Sequence, residues 1–155
     1  MRKIILPLFS ITIVALSIGC NDKSNNSGKK ELTATADSLY KVVLKGHDEG
    51  MVGWMKIEDV KAKVQHLLDS INKLPQQAQS AAASLKESLS SSTTELQTAY
   101  NSMEKWMEEM NLDSASNNLD MRIKYLTDEA GKVSLMKEAI NSSLKKADSL
   151  LKSKS

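Results

Sequence analysis

LTATADSLYKVVLKGHDEGMVGWMKIEDVKAKVQHLLDSINKL, residues 32–74, decides the fold. Steps of four and three residues through it visit Leu32, Ala36, Leu39, Val43, Gly46, Gly50, Gly53, Ile57, Val60, Val64, Leu67, Ile71 and Leu74. Every stop is apolar or glycine, and most of the charged and polar residues fall at the positions between. Such spacing, sustained over about six heptads, is the mark of a helix that buries one seam in a bundle or coiled coil. Pro75 then closes the run and can open the next helix as its first residue.

Working outward, the same rule recurs twice. Ala78, Ala82, Leu85, Leu89, Ser92, Leu96, Ala99, Met103, Trp106 and Met110 form a second series. After a polar break over residues 111–118, Leu119, Ile123, Leu126, Ala130, Val133, Met136, Ile140, Leu144, Ala147 and Leu151 form a third. Short connections make neighbouring helices antiparallel. The sequence therefore predicts an all-α fold, an up-down-up antiparallel three-helix bundle. Its weak place is residues 88–94, where Ser and Thr compete for backbone hydrogen bonds. Ser92 and Glu95 have capping-box spacing there, so a break near Ser92 would give four helices.

Toward the N-terminus the pattern changes. Arg2 and Lys3 precede an apolar run from Ile4 to Ile18, then Gly19-Cys20 and a polar stretch. A short positive head and an apolar run of this length read as a secretory signal. Cys20 is the chain's one cysteine, so no internal disulfide explains it, and lipidation at the cleavage point does. The domain plan is a lipoprotein signal peptide over residues 1–19, a lipidated Cys20 with a flexible Asn-, Ser-, Gly- and Lys-rich tether over 20–30, and the bundle over 31–155. The expected location is the bacterial cell envelope, lipid-anchored to the membrane through Cys20.

The 21 basic residues exceed the 19 acidic ones by two, and Arg2 with Lys3 account for that excess. The mature chain is close to neutral, with no basic stripe for phosphates, which excludes a nucleic-acid partner. The Ser residues have no His and acid at any catalytic spacing, and no Gly-rich loop is built for phosphate. The chain reads as no enzyme. His66 is placed on the outward face of its helix. Asp48-Glu49 and Glu108-Glu109 are adjacent pairs that point apart on a helix and serve as solvated flanks.

The unusual residues converge. Folding the first two helices about Pro75 sets Gly46, Gly50 and Gly53 against Lys105, Asn101 and Thr98. Folding the next pair about Ser114 brings Met121 and Tyr125 to the same height. One layer then holds His47, Met51, Met55, Met103, Met107 and Met121 beside Trp54 and Trp106. Glycine in a helix costs roughly 1 kcal/mol relative to Ala, so three on one seam require compensation. One account is packing, with Trp filling the hollow and Met adapting to the remainder. The other is a soft-metal site. His47 and Met51 lie one turn apart, Met103 and Met107 repeat the spacing opposite, and imidazole with thioethers selects Cu(I), which a Trp face can support. A His–Met pair also ligates haem, but the chain has no haem-attachment Cys motif.

His47-Asp48-Glu49-Gly50-Met51, Trp54-Met55 and the run from Ala99 to Met107 resemble a group of small Bacteroidetes lipoproteins often given the automatic name "viral A-type inclusion protein". The resemblance spans residues 39–151 and implies a helical envelope lipoprotein. It transfers no activity and no site residue. The functional expectation is a non-catalytic binding or interaction module with an envelope protein partner; the alternative is a periplasmic Cu(I) chaperone or buffer.

Overall fold

The computed structural model describes residues 22–153. The signal segment and Cys20 lie outside them. Four helices run in order: α1 (Asp22–Asn72), α2 (Gln76–Ala81), α3 (Ala83–Glu109) and α4 (Leu119–Lys152). The described residues contain no strand, and no helix among them is long and apolar enough to cross a membrane. α1, α3 and α4 are the three arms, with α3 antiparallel to both others and α1 parallel to α4.

Most buried positions are those the spacing predicts, although Leu74 is exposed and Leu68 rather than Leu67 is buried. Val43, Ile57, Val64, Ile71, Leu89, Leu96, Met103, Leu126 and Ile140 are completely buried. Each such side chain contributes roughly 1.5–3 kcal/mol by leaving water. Leu68, Glu129 and Ser143 are buried from outside the three series.

Two local expectations are corrected. The second arm does not break near Ser92. Its break is at Ala82, between α2 and α3, where the amide of Ala82 is shared between the carbonyls of Ala78 and Gln79. α2 buries no residue, so no packing holds it in line with α3, and continuous helix begins where burial begins. The Ser-Thr stretch stays helical because Leu89 and Leu96 anchor it and its hydroxyls turn inward to the helix. Thr93, Thr94 and Thr98 donate to carbonyls four residues back, and Ser91 donates to Glu95. Ser92 is no cap; it is buried, with its Oγ unpartnered.

The second correction concerns the tether, which is helical from Asp22 onward. A long helix already nucleated extends by one hydrogen bond per residue fixed, and residues 22–31 continue α1 in that way.

The turn after α1 is closed by a side chain. Gln79 Nε2 donates to the carbonyls of Asn72 and Leu74 at 2.9 and 2.8 Å, which satisfies acceptors left open at the helix end. At the other turn, Asn118 Oδ1 caps α4 by accepting from the Met121 amide at 3.1 Å. Arg122 Nη1 donates to the carbonyls of Leu112 and Ser114, and Tyr125 accepts from the amide of Asn111. Ala115 stands there at φ 54°, the left-handed region.

Candidate functional site

The three glycines set the geometry of the site, and they face a different neighbour from the one predicted. Gly46 and Gly53 lie against α4 and Gly50 against Met103 of α3, and none of the three lies against Lys105, Asn101 or Thr98. A Cβ at Gly46 would overlap Val133 Cγ1; one at Gly53 would lie 2.6 Å from Ile140 Cγ2. One at Gly50 would lie 2.8 Å from Met103 Cε. α1 and α4 therefore approach closely along a parallel seam, pinned on its flank by Lys137 donating to Glu49 at 2.8 Å. That contact holds the Glu49 carboxyl below its ordinary range.

Beside this seam, residues of three helices form a contiguous polar and aromatic cluster. His47 of α1 lies on Trp106 of α3, ring centroids 5.4 Å apart and planes tilted by 30°. Trp106 Nε1 donates to Glu129 Oε2 of α4 at 2.8 Å. Glu129, only 4% exposed, accepts from Lys132 Nζ with its other oxygen at 2.7 Å. Both acceptors of a buried carboxylate are thus occupied, as burial demands. The same bond pushes the Lys132 ammonium above its ordinary value. His47 Nδ1 stands 3.2 Å from Asp48 Oδ1. A carboxylate only accepts, so this contact is a hydrogen bond in the tautomer that carries its proton on Nδ1, which leaves Nε2 as the nitrogen open to a ligand.

Two turns further along α1, Trp54 stacks on Tyr100 at 4.6 Å and donates to the Tyr100 carbonyl at 3.1 Å. Burial, then Glu104, raises the Tyr100 hydroxyl above its ordinary range.

The predicted layer divides. His47, Met51, Met103, Trp54 and Trp106 belong to it: Met103 and Trp106 are buried, Met51 and Trp54 half-buried against the core. Met107 stands at its rim, 38% exposed. Met55 and Met121, at 65% and 61% exposed, point to solvent and leave it. Among the described residues, no three of His, Cys, Asp and Glu gather at metal-binding range. His66 is exposed, as expected.

Glu129 and Lys132 were not foreseen as part of the layer. The signal was present: Glu129 lies three residues after Leu126 and four before Val133, at core spacing, with a cation one turn away.

A second feature lies between α3 and α4. A groove of about 400 Å³ has Ala99, Trp106 and Ala139 among its lining, Thr98 and Ser102 on one side, and Leu135 on the other. Leu135 is 70% exposed, the most exposed large apolar residue among those described. Small residues on both helices keep the groove open.

Comparison with protein-family models, curated proteins and solved structures finds no match to this chain.

Proposed function

We propose that the chain is a lipid-anchored protein of the bacterial cell envelope, held by Cys20, that works without catalysis as a helical binding module for another envelope protein. The groove between α3 and α4 carries this reading. An apolar concavity with a projecting Leu135 at its lip exposes surface that burial against a partner helix would stabilise.

Two variants test it in cells. Cys20→Ala should lose fatty-acid incorporation and move from the membrane fraction to the soluble one. A photo-crosslinker at Ala139, beside Leu135, should give one discrete adduct that Leu135→Glu abolishes without changing the melt of the protein. Retention of Cys20→Ala in the membrane would overturn the anchor. Absence of an adduct, or one indifferent to Leu135→Glu, would overturn the groove.

A further inference from the structure

Gly50 is the residue from which the next assignment starts. With no Cβ there, Met103 reaches across from α3 until its methyl occupies the space beside α1. Gly50 lies between His47, one turn before it, and Met51, the next residue. The Met103 thioether is thereby brought to the turn of α1 that carries the imidazole and the second thioether. Two neighbours orient His47: its ring rests on Trp106, and its Nδ1 stands 3.2 Å from Asp48 Oδ1. A carboxylate on the remote nitrogen is the arrangement that orients an imidazole for metal ligation and makes its other nitrogen more basic.

We infer that His47 Nε2, Met51 Sδ and Met103 Sδ form a binding site for a soft monovalent cation, Cu(I). One imidazole and two thioethers are ligands that such an ion prefers and that harder cations accept poorly. None of the three is acidic, so the site brings no negative charge into the core. The Trp106 face, already against His47, supplies the electron-rich surface that favours a cation nearby. Trp106 is held in turn by Glu129, whose carboxylate adds favourable charge at the layer's α4 side. Met107 lines the solvent rim. Met55 and Met121 have no part in the site. The assignment is independent of the groove and of the anchor.

The test is an anaerobic titration of the full chain in detergent with Cu(I), against bicinchoninate as coloured competitor, in a Trp54→Phe background so that emission reports Trp106. One Cu(I) per chain with quenched emission is expected. Met51→Leu and His47→Gln should each weaken binding by about tenfold or more, while Met55→Leu and Met121→Leu leave it unchanged. Met→Leu conserves volume and is tolerated in cores; Met51 is only half-buried, so its variant keeps the fold even if Met103→Leu does not. Failure of the wild-type chain to compete overturns the assignment. So does binding that His47→Gln and Met51→Leu leave intact, or that the surface methionines weaken equally.

Discussion

At the residue scale, what opposes each glycine determines what a methyl would do there. Val133 and Ile140 are β-branched and stiff at χ1, so neither can swing away from an added Cβ at Gly46 or Gly53. Overpacking costs about 1–3 kcal/mol, against the roughly 1 kcal/mol that Ala gains over Gly in a helix. Gly46→Ala and Gly53→Ala should each destabilise by about 1–2 kcal/mol in urea unfolding. Gly50 faces only the flexible end of Met103, and Gly50→Ala should stay within about 1 kcal/mol of the parent by the same balance. Ser92 behaves oppositely. Its buried hydroxyl has no partner, and Ala is the better helix former, so Ser92→Ala should stabilise by about 1 kcal/mol. A lower unfolding midpoint for Ser92→Ala would show that the hydroxyl is satisfied in solution.

At the scale of elements, periodicity made the buried face of each helix readable, because only core positions recur at three and four. It could not name the neighbour that each face meets. An arm in a three-helix bundle touches two others, and the choice for α1 rests on how closely glycine lets α4 approach. Folding the arms about Pro75 also misses the kink at Ala82, so Trp54 meets Tyr100 rather than the residue directly across an ideal hairpin. The charged member of the core, Glu129, escaped because its partner, Trp106, is on another helix. Two ion pairs tie α4 to its neighbours, Lys137 to Glu49 on α1 and Lys146 to Glu95 on α3. Each lysine lowers the pKa of its carboxyl partner, chiefly through the hydrogen bond. A carboxyl whose folded pKa is depressed adds stability above its unfolded pKa and loses it as pH falls through the folded value. The melting temperature should therefore decline on acidification below about pH 4.5, near the ordinary carboxylate pKa. Glu49→Gln/Glu95→Gln should show a shallower decline and, at neutral pH, less sensitivity to salt.

At the scale of the whole molecule, the bundle depends on its last arm. α4 packs on the glycine seam of α1 and one side of Trp106, and it pairs with Glu49 and Glu95. A chain ending at residue 118 should retain some helicity in α1 but lose the cooperative melt, read by far-UV circular dichroism against temperature. A sharp transition in that fragment would mean that α1 and α3 form a stable pair unaided. The pairing of Glu49 with Lys137 spans 88 positions of sequence, and this separation has a consequence in time. At roughly 5–20 residues per second, the ribosome needs on the order of 5–20 s after Glu49 to supply its partner. For that interval the longest helix has its narrowest face bare, and the nascent chain must be kept from pairing that face with another molecule.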